Sequence, residues 1–145
     1  MVEYCAVTQP CDESFVADLH QLCQQVFGDW DRDDLVWRLA HMPDVSVQVA
    51  RVQRMVGFKV GYALAPTRYY SWLGGIHPEH RRQGIALGLM GRQHHWARSQ
   101  GYKSVETTLV HTNAPMLQLN LRAGLEIVGT YLWNERTRVI MAGDL

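Results

Sequence analysis

The stretch Ile76-His77-Pro78-Glu79-His80-Arg81-Arg82-Gln83-Gly84-Ile85-Ala86 sets a short basic turn between an apolar segment and a run with helical periodicity. A helix that opens at such a turn leaves its first backbone N–H groups without acceptors, pointing outward with the positive end of the helix dipole. Gly84 removes the Cβ that would hold an anion off, and Arg81 and Arg82 add charge-assisted donors, so a phosphate can sit there. By itself Arg-x-x-Gly-x-Ala is short enough to arise by chance, and an ordinary capped turn with solvated arginines has the same composition. Its meaning depends on its surroundings.

Upstream, residues 2–8 read as a strand, and residues 13–27 carry Phe15, Val16, Leu19, Leu22, Cys23 and Val26 at helical spacing. Gly28-Asp29-Trp30 breaks that helix. Asp31 caps a second one whose Leu35, Val36 and Leu39 face inward and which ends by Pro43. Val45, Val47 and Val49 then alternate with Ser46, Gln48 and Ala50, the pattern of a half-buried strand. Residues 56–64 and 69–76, separated by Pro66-Thr67-Arg68, extend this into an antiparallel meander.

Downstream of the turn, Ile85, Leu89 and Trp96, with Ala86, Met90 and Ala97 beside them, predict a helix from Gly84 to a left-handed stop at Gly101. A strand over 103–110, a short helix over 113–123 closed by Gly124, a strand reaching Trp133 and a last strand over 137–142 complete the chain. No repeat, linker or low-complexity segment interrupts this order. Residues 1–145 are therefore expected to form a single α+β domain with a mixed sheet.

Fourteen Lys and Arg against fourteen Asp and Glu remove the broad attraction that drives non-specific nucleic-acid or anionic-membrane binding. Neither partner is expected, and without an apolar leader or spanning run the expected location is cytoplasmic. Cys5, Cys11 and Cys23 form an odd, clustered set that reads as reduced thiols.

In this setting the chain resembles the GNAT N-acetyltransferase superfamily. Its signature Q/R-x-x-G-x-G/A after the fourth strand is matched by Arg81, Gly84 and Ala86; Ile76-His77-Pro78-Glu79 looks like the preceding strand end. Gly101-Tyr102 ends the helix in the family's manner, and Asn113 with Gly124-Leu125 resembles its Asn-to-Gly-Phe segment. The resemblance implies a mostly antiparallel sheet flanked by helices, with two parallel strands splayed apart to hold an acyl-CoA. It implies that pyrophosphate lies on the N–H groups of Arg82, Gln83, Gly84, Ile85, Ala86 and Leu87 while pantetheine pairs with the backbone of Ile76 and His77. Asn113, Met116 and Asn120 would border the same ligand.

Two positions depart from the family's pattern. Where many members carry a Tyr that protonates the leaving thiolate, this chain has Asn120, which can donate a hydrogen bond to sulfur or to pantetheine, or simply bridge neighbouring backbone. Where some relatives carry a Glu base, it has Ser71, so the amine's proton would leave through water past Ser71 or by way of His111. The resemblance gives the backbone N–H of Ile76 the oxyanion role. Asn113 also suits an N-cap, and Gly74-Gly75 suits either a β-bulge that widens the cleft or a packing site under a bulky neighbour.

His77-x-x-His80 and His94-His95 lack further ligands at a supporting spacing, so no metal is expected, and Cys23 beside His20 reads as core rather than nucleophile. Asp29, Asp31, Asp33 and Asp34 serve as helix-start charges or as an acidic rim; Trp30, Trp37, Tyr69, Tyr70 and Trp72 serve as core or as an aromatic pocket wall. The implied activity is transfer of an acetyl group from acetyl-CoA to a primary amine, small-molecule or peptide, with a homodimer compatible with it. A coenzyme A-binding regulatory module of little turnover is the alternative that the missing Tyr and Glu leave open.

Overall fold

A computed structural model describes all 145 residues. The chain runs β1 (Glu3–Thr8), α1 (Glu13–Phe27), α2 (Arg32–His41), β2 (Ser46–Val52), β3 (Arg54–Ala65), β4 (Arg68–Ile76), a 3-10 turn (Pro78–His80), α3 (Ile85–Ser99), β5 (Ser104–Val110), α4 (Ala114–Arg122), β6 (Glu126–Trp133) and β7 (Arg136–Asp144). The order of elements is the expected one, with β3 and β7 longer at both ends than the hydrophobic patterning indicated.

The seven strands form one sheet in the order β1-β2-β3-β4-β5-β7-β6. Every neighbouring pair is antiparallel except β4 and β5, which are parallel because α3 carries the chain back across the sheet between them. Asp12 and Asp31 cap α1 and α2 through bonds from the N–H groups of Phe15 and Asp34. The β6–β7 hairpin turns on Asn134 and Glu135, both left-handed, as a two-residue turn between right-twisting strands requires.

Helices cover both faces. Leu19, Leu22, Leu35 and Leu39 of α1 and α2 pack on Val47, Val49, Phe58 and Val60. On the other face Ile85 and Leu89 of α3 meet Ala50 and Val56, and Met116 and Leu117 of α4 lie on Val105, Leu109, Val139 and Met141. This double cover corrects the half-buried reading of the second strand: Ser46, Gln48 and Ala50 are as buried as the valines between them. Val36 also departs from expectation and is exposed. A ten-residue helix at the sheet's margin offers only one stripe, Leu35 and Leu39 at i and i+4, so Val36 and Trp37 turn outward.

Candidate functional site

Gly57 of β3 fixes where α3 begins: a Cβ there would stand 3.0 Å from Ile76 Cδ1 and 3.1 Å from Ile85 Cγ2, so its absence lets the helix start settle beside the end of β4. Between them the chain passes through left-handed backbone twice, at Arg82 (φ 62) and Gly84 (φ 78). No side chain caps the helix and no acid occupies its first turn. The backbone N–H groups from Arg81 to Leu87 consequently find no acceptor within the chain. Nothing lies within 4 Å of where a Cβ of Gly84 would be, so an anion can approach these donors directly.

Arg82 forms no ion pair, while Arg81 Nε donates to the carbonyl of Ile76 at 3.1 Å and so folds back over the strand end. His77 Nδ1 accepts from the N–H of Glu79 and starts the 3-10 turn. The His77 and His80 rings lie 5.7 Å apart, with no group of three metal-ligating side chains around them.

Next to this loop the sheet opens. β4 and β5 pair only from Arg68–Ser104 to Ser71–Thr107, and Thr107 Oγ1 donates to the carbonyl of Ser71 at 2.9 Å to close the apex. Beyond it β4 stays with β3 and β5 stays with β7, leaving a fork between them. The register against β3 slips at the same place: Val60 faces Leu73 but Gly61 faces Ser71, so Trp72 is the extra residue of a bulge. Bulge and fork coincide because the added twist turns the rest of β4 away from β5.

The bulge at Trp72 corrects the expectation of one at Gly74-Gly75. Those glycines stay in register with Lys59 and Phe58, and a Cβ on Gly75 would come within 2.7 Å of Val26 Cγ1, which makes Gly75 a packing site under α1. The backbone of His77 is already engaged within the chain: its N–H donates to Val56 at 2.7 Å and its carbonyl accepts from His80. Because strand residues alternate the side to which they donate, the backbone of Ile76 projects into the fork instead. Its N–H faces the open edge while its carbonyl takes Arg81.

On the α3/α4 face, Asn113 caps α4 through a 3.4 Å bond from the N–H of Met116. Asn120 is 2% exposed and its Nδ2 donates to Met141 Sδ at 3.6 Å. Ser71 is buried at the apex, and His111 stands exposed in the turn after β5, its N–H bonded to Thr137. On the α1/α2 face, Tyr70 shares a 2.9 Å hydroxyl bond with Thr108 across the fork. Arg38 lies 4.6 Å over the Trp72 ring, donates to Tyr62 and pairs with Asp34. Tyr69 does not join this wall; it is buried under α3 and bonded to Ser46, while Trp37 stacks on His41 in solvent.

Periodicity did not point to Lys59, a β3 residue only 9% exposed. Burial pulls its ammonium from 10.5 down to about 8. On α3, burial and then the charges of Lys59 and Arg98 hold His94 down to about 4. The available signal was a lone charge inside the apolar and small-residue run from Val56 to Leu64.

The acetyltransferase (GNAT) family model matches residues 13–124. Among solved structures, the ribosomal-protein-S18-alanine N-acetyltransferase from Escherichia coli superposes with a TM-score of 0.83 at 12% identity, over 99% of this chain and 94% of that one. Arabidopsis thaliana NAA60 in complex with acetyl-CoA gives 0.79 at 14% identity, over 100% and 99%. Ard1 from Thermoplasma volcanium gives 0.79 at 17%, over 98% and 97%. At these identities the likeness is one of fold. No curated protein matches the chain in sequence, and no helix is long and apolar enough to cross a membrane.

Proposed function

Given that this chain belongs to the acetyltransferase (GNAT) family, we propose that it transfers an acetyl group from acetyl-CoA to a primary amine by direct attack of the amine on the thioester. The observation that carries this reading is the row of N–H groups from Arg81 to Leu87, without acceptors and opening at the mouth of the β4–β5 fork. The pyrophosphate lies on the N–H groups of residues 82–87, with Arg81 and Arg82 at its rim. Pantetheine follows the free edge of β4, where the Ile76 N–H meets the ligand and serves the charge that develops on the carbonyl oxygen. Asn113 and Met116 of α4 form the opposite wall. That a fold neighbour was solved with acetyl-CoA supports the choice of donor.

Asn120 occupies the place beside the departing sulfur. Its amide already donates to a thioether, and one N–H remains for the thiol. The attacking amine loses its proton through water held near Ser71 or to His111. The acceptor approaches on the α1/α2 face, along Tyr62, Tyr70 and Trp72, and Asp34 beside Arg38 gives that wall a carboxylate for a cationic amine. A peptide N-terminus or a small amine fits this chemistry; the Escherichia coli neighbour is named for a protein alanine. A homodimer would use edge strand β6, where Ile127, Val128, Leu132 and Trp133 are exposed.

One observation favours the second reading, a coenzyme A-binding regulatory module. Arg68–Ile76 carries no carboxylate, and the only group that α4 offers the sulfur is an amide sealed against Met141. A screen of amine acceptors with acetyl-CoA, read by thiol release, decides between them. Amine-dependent release is expected; binding of coenzyme A without release with any amine would establish the module.

A further inference from the structure

Lys59 sits on β3 directly opposite Gly74 of β4 and faces α3, as do Gly57 and Gly61 on either side of it. It forms no ion pair and no hydrogen bond. Its side chain lies across Gly74: Cγ is 3.5 Å and Nζ 3.7 Å from the point where a Cβ of Gly74 would stand. The ammonium has thus crossed from β3 onto the strand that borders the fork, at a level between Ile76 at the mouth and Ser71 at the apex. A side chain longer than a methyl at position 74 would fill this path.

The groups around it leave the charge unanswered. From β2 the facing residue is Gln48, from β4 Gly74, and from α3 His94 with Arg98 beyond it. None is an acid, and His94 is neutral above about pH 4, so it neither adds to the charge nor cancels it. Gln93, the next α3 residue toward the sheet, has both amide atoms buried without partners. A buried cation with no anion is costly, and this one lies over Gly74 of the strand that borders the fork.

We propose that Lys59 is the acid of the transfer, giving a proton to the coenzyme A sulfur as the thioester breaks. This deepens the acetyltransferase reading and rests on it. The neutral amine nitrogen forms the C–N bond, the C–S bond breaks, and its electron pair stays on sulfur, which takes a proton from the Lys59 ammonium. The acceptor nitrogen gives up its extra proton to water, and Lys59 regains one from solvent through the fork. An ammonium held at about 8 is matched to a free thiol at about 8.5, so the proton moves with little free-energy change in either direction. Lys59 then does what the amide of Asn120 cannot.

The test uses the full chain and two variants. Wild-type kcat is expected to fall above about pH 8 as Lys59 deprotonates. Lys59→Arg keeps the charge but does not release a proton, so it should lose that falling limb and on the order of a hundredfold in kcat. Lys59→Met should lose as much kcat while binding coenzyme A within a few-fold. A second readout needs no turnover: the thiol of bound coenzyme A, followed by thiolate absorbance, should titrate at least about one unit lower in the wild type than in Lys59→Met. A falling limb and kcat unchanged in Lys59→Arg, or bound thiols titrating alike in wild type and Lys59→Met, would overturn the proposal. Failure of the wild type to bind coenzyme A would instead remove the acetyltransferase reading, and the proposal with it.

Discussion

Lys59 carries a stability consequence that can be read apart from catalysis. Its pKa is lowered in the fold, from 10.5 to about 8, so the folded protein binds the proton less tightly than the unfolded chain does. Below pH 8 the fold must therefore hold a buried charge, at a cost on the order of 3 kcal/mol, and this cost fades as pH rises from 8 toward 10.5. Lys59→Met should raise the melting temperature at pH 7, by a gain that shrinks over that window. A gain independent of pH would mean that packing, not charge, was relieved. Asn120→Ala should lower turnover by roughly tenfold, the value of one hydrogen bond near the sulfur. Asn120→Tyr should keep or raise the rate; a loss beyond about a thousandfold in the alanine variant would give Asn120 a role that a hydrogen bond cannot supply. The candidates Arg81, Gly84, Ala86, Asn113 and Asn120 stand out in the sequence because short local motifs that resemble the family's carry them. Lys59 does not, since only the pairing of β3 with β4 and the cover of α3 bury it.

Among the elements, β4 decides the shape of the site, and its two glycines have separate functions. Gly75 lies under Val26, where an added methyl has no room, so Gly75→Ala should cost about 1–3 kcal/mol in urea unfolding. Gly74→Ala meets its nearest atom, the Phe58 carbonyl oxygen, at 3.4 Å and should be nearly neutral for stability. Equal losses at both positions would contradict this division. The bulge was expected at this pair because paired glycines mark irregular strands. Its true place at Trp72 depends on the register of β4 against β3 and on the end of pairing with β5, neither of which is encoded locally. The loop into α3 is more legible, since Gly84 adopts φ 78 and Arg82 φ 62 within a single short turn.

At the scale of the molecule, the sequence shows the order of helices and strands plainly, and the match to the family model from residue 13 to residue 124 accords with it. What it hides is the cover on the second face: alternation in the second strand implies one wet face, whereas α3 buries the second face of β2 as α1 and α2 bury the first. The same arrangement sets the start of α3 beside the fork, and the proposed activity requires coenzyme A to be held there by its phosphates. Calorimetric melting of the protein with coenzyme A, and separately with adenosine, tests it most directly. Coenzyme A should raise the melting temperature and adenosine should not. Gly84→Glu should lose the effect of coenzyme A, and Gly84→Asn, which tolerates left-handed backbone and puts a Cβ but no charge at the loop, should lose less of it. Equal shifts with coenzyme A and adenosine, or an undiminished shift in Gly84→Glu, would contradict phosphate binding at this loop.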